Sequence, residues 1–190
     1  MKSRTITPIR FTTKYQIPDI QPIIGSEKTE YYRNKLEFSF SERRWILADE
    51  DPEGLTEEQR LGLGFHVGKF FDKVLDIDEC YLMQGLNNRL RNGIREFAQK
   101  ENIPFYDLRS HSGVLRSMMI RTSTTGEVML LLQARVECDS DKAMLEKTLQ
   151  FVADEFPEVT SLLYVVNNKC NDTFGDLDVV TFKGTDVIYE

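Results

Sequence analysis

The stretch VLRSMMIRT (114–122), STTG (123–126) and EVMLLLQARV (127–136) decides the fold class. Two runs that are rich in apolar residues flank a short polar segment that ends in glycine. Such a segment is typical of a β-hairpin, because glycine and small polar residues adopt the backbone angles that a tight turn requires. The sequence therefore predicts two neighbouring antiparallel strands near the middle of the chain.

One amphipathic helix is predicted on each side of this hairpin. Apolar residues recur every three or four positions over 81–101, which predicts a helix that ends before Pro104. Ser140 can cap a second helix, which Pro157 stops. The predicted buried stripes consist of Leu82, Leu86, Leu90, Ile94 and Phe97 in the first helix and of Leu145, Leu149, Val152 and Phe156 in the second.

Further strands are predicted on both sides of this central part. Since neighbouring strands joined by tight turns favour antiparallel pairing, the sequence predicts an α+β domain: an antiparallel β-sheet with two main helices packed on one face. Residues 1–30 are interpreted as an extended lead-in and residues 49–58 as an acidic, solvated loop. The remaining predicted strands are 32–40, 43–47, a hairpin of 61–68 and 73–77, 160–166, 179–182 and 187–189.

Length and composition limit the class of protein. A chain of 190 residues with 41% apolar residues can bury a core of its own and corresponds to one domain. Its longest apolar run is the five residues 128–132, whereas a membrane span needs about 20. Three cysteines, 58 and 32 residues apart, fit neither a disulfide framework nor a zinc site. With no leader segment indicated, we expect a cytoplasmic protein.

Charge is distributed unevenly along the chain. Residues 1–48 contain nine Lys and Arg against five Asp and Glu, a net +4, whereas residues 137–190 contain four against twelve, a net −8. The overall −7 argues against a general polyanion binder, but a basic part beside an acidic one fits a protein that presents one face to nucleic acid. The same asymmetry is common in proteins that bind none, so charge alone leaves the function open.

Few residues could support catalysis. Gly62 and Gly64 lie within a predicted strand and lack the third glycine and the helix start of a phosphate-binding loop. His66 and His111 are the only histidines, which excludes a multi-histidine metal site and leaves little for Ser-His or Cys-His chemistry. We interpret His66 as a structural or ligand-facing polar residue rather than a general base.

Four acidic residues within 72–79 precede the first predicted helix. They could form a cation site or a pair of acid/base carboxylates. The simpler interpretation is that they favour the helix N-terminus, with Lys69 and Lys73 close by in sequence. Cys80, at the start of that helix, could be a nucleophile, a metal ligand or a small buried apolar residue.

The basic and aromatic residues of 31–40, with Arg43, Arg44 and Trp45, are the best candidates for a binding surface. Arg and Lys can neutralise phosphates, and exposed aromatic rings can stack on unpaired bases. The same residues could equally form the ordinary solvated face of an antiparallel sheet. Composition does not decide between the two.

Three segments carry a family resemblance: YRNKLEFSF (32–40), LGFHVGKFFD (63–72) with DIDEC (76–80), and LRSMMIRT (115–122) with GEVML (126–130). In this order they resemble the RNA uracil-5-methyltransferases, in the ribosomal-RNA (RumA-like) branch, from about residue 20 onward. The resemblance implies that 31–190 is the central α+β domain, which in that family lies between an RNA-binding TRAM barrel and a catalytic domain. The first 19 residues do not match the family.

The resemblance also implies the chemistry of a longer parent protein. The parent would transfer a methyl group from S-adenosylmethionine to uracil C5 in 23S ribosomal RNA, and this fragment, without the TRAM and catalytic domains, would be inactive alone. Cys80 matches the fourth ligand of the iron-sulfur cluster that many members hold. The family's other three ligands are closely spaced cysteines near the TRAM barrel. Because this trio is missing from the sequence, we expect no cofactor in the fragment.

We expect RNA, most simply ribosomal RNA, as the partner, and neither DNA nor a membrane. Two other interpretations remain: a non-catalytic domain that binds another protein, which predicts an exposed apolar patch of several hundred Å², and a free-standing enzyme that uses Cys80. Phosphate contacts are predicted for Arg33, Lys35, Lys69 and Lys73, a base or sugar contact for His66, and further RNA contacts for Arg116 and Arg121, whose strand is expected to be central.

Overall fold

The computed structural model describes residues 21–190. Residues 1–20, including most of the predicted lead-in, lie outside the described part, and residues 21–30 contain no helix or strand. Along the chain the elements are β1 (Lys35–Ser41), α1 (Glu57–Arg60), β2 (Gly62–His66), β3 (Val74–Asp76), α2 (Leu86–Lys100), β4 (Leu115–Thr122), β5 (Val128–Ala134), α3 (Asp139–Glu155), β6 (Ser161–Val166) and β7 (Val179–Gly184).

All seven strands belong to one sheet, in the order β3-β2-β1-β4-β5-β6-β7. Every neighbouring pair is antiparallel except β5 and β6, which run parallel. The exception follows from the connection, because α3 carries the chain back so that β6 starts at the same end as β5. The predicted hairpins β2–β3 and β4–β5 are confirmed.

Helices α2 and α3 pack on the same face of the sheet, which confirms the predicted α+β architecture. The alternation of strand side chains sends one residue set toward these helices. Most of these side chains are completely buried, as expected because burial of apolar surface is the main stabilising contribution to a domain of this size. This main core includes Leu36, Phe38, Met118, Ile120, Leu130, Leu132 and Leu162 from the strands and Leu90, Ile94, Ala98, Leu145, Leu149 and Val152 from the helices.

A second, smaller core lies on the opposite face, centred on β5 and β6, and Met119 of β4 packs against it. Its centre is formed by Met129, Leu131, Leu163 and Val165. Phe174, Leu177 and Ile188, from segments that contain no long helix, cover it. On this face Lys35 and Glu37 of β1 and Arg121 of β4 remain exposed to solvent.

The predicted strand 43–47 is wrong. Only Arg44 forms a β-bridge, with Val74, and the Trp45 amide donates to the Val74 carbonyl at 2.6 Å. These contacts lie along the outer edge of β3, so the segment covers that edge rather than adding a full strand. β7 forms the other border of the sheet.

Three boundaries also differ from the predictions. The segment 187–189 is not a strand, and 49–58 runs into the short helix α1, whose capping box consists of Thr56 and Gln59. Ser140 lies inside α3, because the chain already turns helical after Cys138. Among the described residues no helix is long and apolar enough to cross a membrane.

Candidate nucleic-acid interface

Lys35 and Arg121 lie directly opposite each other on β1 and β4. Their sequence neighbours Leu36 and Ile120 point into the main core, so the alternation of strand side chains places both cations on the face away from the helices. Both residues are exposed. Like charges at directly opposed positions destabilise a sheet, so an anion bound between them would relieve this repulsion.

Little else neutralises this pair. Lys35 forms one ion pair, to Glu37 at 3.9 Å, and both side chains are nearly half exposed. Exposed pairs of this kind contribute about 0–1 kcal/mol and are weakened by salt. Within the described part of the chain Arg121 has no ion pair.

Arg33 immediately precedes β1 and joins a cation to an aromatic surface. Its amide donates to the Leu82 carbonyl at 2.9 Å, which fixes the segment beside the start of α2. The guanidinium carbon lies 5.8 Å from the centre of the Tyr32 ring, which is itself half exposed. Arg33 and Tyr31 also line an open cavity of about 460 Å³. This corner of the sheet therefore offers a phosphate ligand together with exposed aromatic rings.

The other predicted cations lie on the turn between β2 and β3. His66 ends β2 and is exposed, as is Lys69, whereas Lys73 is half-buried. Lys69 has φ +74°, a left-handed conformation that costs a residue with a side chain about 1–2 kcal/mol. The structure thus places the predicted cations in two groups: Arg33, Lys35 and Arg121 along β1 and β4, and His66, Lys69 and Lys73 at the β2–β3 turn.

Arg109 was not predicted as a site residue, although it joins the group at the turn. Its Nε donates to Asp72 at 2.5 Å, and Asp72 is buried while the Arg109 side chain is 56% exposed. This hydrogen bond holds the pKa of the Asp72 carboxyl below its ordinary value. The sequence did not indicate this pair, because Asp72 and Arg109 are 37 residues apart and only the fold brings them together.

Arg116 is a correction to the predicted RNA contacts. Its side chain is buried, at a position where the register shifts between Leu115 and Ser117. The guanidinium lies 4.1 Å from the centre of the Tyr106 ring. It donates to the carbonyl oxygens of Asn167 at 2.8 Å, Lys169 at 2.5 Å and Asn171 at 3.0 Å and to the carboxylate of Asp172 at 2.7 Å. Arg116 therefore holds the loop after β6 against the sheet.

Cys80 is buried, and its amide donates to the Asn88 side chain at 2.9 Å. Two of the acidic residues before α2 are paired with an arginine, since Arg95 donates to Asp76 at 2.8 Å and to Asp78 at 2.7 Å. Among residues 21–190 no three potential ligands of the His, Cys, Asp and Glu type lie close enough to hold a metal ion. The residues around Cys80 therefore cannot by themselves supply the four thiolates of an iron-sulfur cluster.

Comparison with known proteins identifies relatives of the chain. No family model matches it. It is 47% identical over 182 residues to a protein of Bacteroides thetaiotaomicron and 48% identical over 182 residues to one of Porphyromonas gingivalis, both named uncharacterized RNA methyltransferases. A protein of the same name in Chlorobaculum tepidum is 33% identical over 169 residues.

These alignments cover nearly all of this chain but only part of each relative. They span 96%, 93% and 87% of the chain and 40%, 38% and 35% of the respective relatives. The chain is therefore homologous to a segment, less than half in length, of proteins named RNA methyltransferases.

A solved structure shares the fold. The tRNA (uracil-54, C5)-methyltransferase of Pyrococcus abyssi, determined in complex with S-adenosyl-L-homocysteine, matches with a TM-score of 0.57 and 22% identity. The match covers 86% of this chain and 34% of that enzyme. At this identity the likeness shows a common architecture.

Proposed function

We propose that this chain is the central domain of an RNA uracil-5-methyltransferase and that it binds and positions ribosomal RNA in the cytoplasm. The methyl transfer from S-adenosylmethionine to uracil C5 would be performed by a catalytic domain elsewhere in a longer protein, so this domain would be inactive by itself. In a parent that supplies three further cysteines, Cys80 would complete an iron-sulfur cluster. The relatives named RNA methyltransferases and the fold shared with a uracil-C5 methyltransferase support this assignment.

The observation that carries the proposal is the opposed pair Lys35 and Arg121, with Arg33 beside it. The chain as a whole has a net charge of −7, which would repel a polyanion. RNA binding therefore requires a local surface on which cations are exposed and not neutralised by neighbouring carboxylates. The face of β1 and β4 away from the helices exposes Lys35 and Arg121 with one paired carboxylate, Glu37, while Glu127 and Glu190 line the cavity beside Arg33. Most other acidic residues of the C-terminal third lie on α3 and in the loop after β6.

Salt dependence of binding tests the proposal. Each phosphate that the protein neutralises in a single-stranded RNA contributes about −0.7 to the slope of log affinity against log salt. We would titrate the chain with a fluorescent, uridine-containing RNA hairpin at several salt concentrations and follow anisotropy. The double change Arg33→Ala, Lys35→Ala should weaken binding and make the slope shallower by about 1.4, because two such contacts are removed.

A matched variant separates this surface from net charge. Lys100→Ala, Lys142→Ala removes the same two charges from α2 and α3, on the opposite side of the sheet, where both side chains are exposed. This control should bind RNA with nearly the slope of the unchanged chain. Equal losses in the two double variants, or no loss in either, would remove the β1–β4 face as the RNA surface.

The alternative, a domain that binds another protein, is supported by one observation. Val179 and Val180 on the border strand β7 are each about two-fifths exposed. If RNA binding is absent at low salt while a protein partner binds β7, this alternative replaces the proposal.

A further inference from the structure

The turn between β2 and β3 carries two exposed phenylalanines. Phe71 is 66% exposed and Phe70 is 46% exposed. Phenylalanine is normally among the most buried residues, so an aromatic pair at the tip of a hairpin is unusual. A polar residue would form this turn equally well, and the rings therefore suggest a surface that another molecule covers.

The two rings have different surroundings. Phe70 packs on Trp45, with the ring centres 5.1 Å apart. Phe71 has the guanidinium of Arg109 beside it, 5.6 Å from the ring centre. One ring thus supports the turn, while the other presents an open aromatic surface next to a cation.

The backbone holds Phe71 in this exposed position. The Val67 amide donates to the Lys73 carbonyl at 3.0 Å, and the Lys73 amide donates to the Phe70 carbonyl at 3.2 Å. On the other side Asp72 is buried, and its carbonyl accepts from the Ser41 hydroxyl at 3.3 Å. These contacts fix the backbone on both sides of Phe71, whose ring is exposed. The platform is preorganised, which reduces the entropy lost on binding.

The charges around the ring favour an anionic partner. Arg109 uses Nε for Asp72, and within the described residues its terminal amino groups have no protein acceptor. Lys69 and Lys73 lie on the same turn, and neither forms an ion pair with a described residue. The carboxylate that lies closest in sequence, Asp72, is buried and paired. An aromatic ring flanked by cations, of which Arg109 keeps its terminal amino groups unbonded, matches a base with its adjoining phosphates.

We propose that Phe71 and Arg109 form a stacking platform for one unpaired base of the RNA, with Lys69 beside the neighbouring phosphate. The inference rests on the proposed function and adds that this part of the domain takes single-stranded RNA. A paired base is already stacked on both sides within a helix, so the ring selects a nucleotide in a loop or at an end.

Two probes of equal length and charge test the platform: a uridine-rich single strand and an RNA of which every base is paired. Phe71→Ala should weaken binding of the single strand by about 5- to 150-fold, the loss that one base stack represents. Its salt slope should stay unchanged, since no charge is removed, and binding of the paired RNA should not change. Phe71→Tyr, which keeps the ring, should restore the affinity.

Leu75→Ala is the matched control for apolar area. Leu75 is exposed on the adjacent strand β3 but has no aromatic face, so its removal should leave single-strand binding within about twofold, since exposed surface changes away from a contact are usually small. The chain contains one tryptophan, Trp45, which touches the turn through Phe70. The single strand should therefore change its fluorescence, and this change should be lost in Phe71→Ala.

The failures of the two proposals are distinguishable. If the unchanged chain binds RNA through Arg33 and Lys35 but Phe71→Ala binds the single strand with full affinity, the platform alone is refuted. Equal losses for single-stranded and paired RNA also refute it. If the unchanged chain binds no RNA, both proposals are wrong. Phe71-dependent binding to vesicles of phosphatidylglycerol, or Phe71-dependent dimerisation, without RNA binding would assign the ring to a different partner.

Discussion

Replacing Arg116 by leucine should destabilise the chain without changing the proposed RNA contacts. The guanidinium makes four hydrogen bonds, three to backbone carbonyls of the loop after β6 and one to Asp172. Hydrogen bonds to a charged group contribute about 1.5–3 kcal/mol each, but burial of the guanidinium opposes most of this sum. The Asp172 carboxylate is half exposed, so water can replace its partner, but a buried carbonyl left without a donor costs about 1–3 kcal/mol. Since three carbonyls lose their donor, we expect a total loss of about 3–5 kcal/mol.

For a domain of this size, 1 kcal/mol corresponds to about 2–4 °C, so the melting temperature should fall by about 6–20 °C. Urea unfolding followed by circular dichroism measures the free energy directly. Arg121→Leu is the matched control on the same strand: since Arg121 is exposed, its loss should change stability by less than about 0.5 kcal/mol.

RNA titration of the same two variants completes the test, at a temperature where both are folded. Arg121→Leu should make the salt slope shallower by about 0.7, the contribution of one phosphate. Arg116→Leu should keep the slope of the unchanged chain. Equal stability of the two variants, or a loss of slope in Arg116→Leu, would contradict the structural role assigned to this buried arginine.

Two further predictions concern stability. Hydrogen bonds from the Arg44 side chain and from a backbone amide lower the pKa of Glu50 to about 2, from an ordinary 4.5, so the stabilisation is present above pH 4.5 and is lost as the pH falls toward 2. The difference in urea midpoint between the unchanged chain and Glu50→Gln should therefore shrink over this pH range, and a constant difference would contradict the assignment. Gly64→Ala should cost about 3 kcal/mol or more, since its Cβ would lie 1.9 Å from a carbonyl oxygen of β3, whereas Gly68→Ala, with no atom within 4 Å, should change stability by less than about 0.5 kcal/mol. Urea unfolding compares the two alanine variants, and coincident midpoints would show that β2 and β3 do not approach as described.

The sequence predicted those elements that are determined by residues close together in the chain. The β4–β5 hairpin and the two long helices follow from turn residues and apolar spacing, and all three form within a few residues of their predicted bounds. The parallel pairing of β5 with β6 depends on where α3 returns the chain, which the residues of either strand do not encode. The segment 43–47 has the composition of a strand but makes a single bridge, because its partner is only the short β3.

The candidate site was predictable in residue type but not in arrangement. Arg33, Lys35 and Lys69 could be selected because basic residues beside aromatic ones are the usual ligands of RNA. That Lys35 faces Arg121 depends on the register of two strands far apart in sequence. Arg116 has the same residue type as Arg121, but the loop after β6 surrounds it, and this contact across more than 50 residues is not visible in the sequence.

The two edge strands of the sheet differ in whether their outer backbone groups are available for pairing with a further strand. At the β3 border the segment around Trp45 already occupies the backbone groups of Val74. At the β7 border no described strand does so, and Val179 and Val180 are left partly uncovered. An additional strand, from the same polypeptide or from another molecule, can therefore extend the sheet by backbone pairing beyond β7. The sheet would then lengthen away from the cationic strands and leave the proposed RNA surface unobstructed.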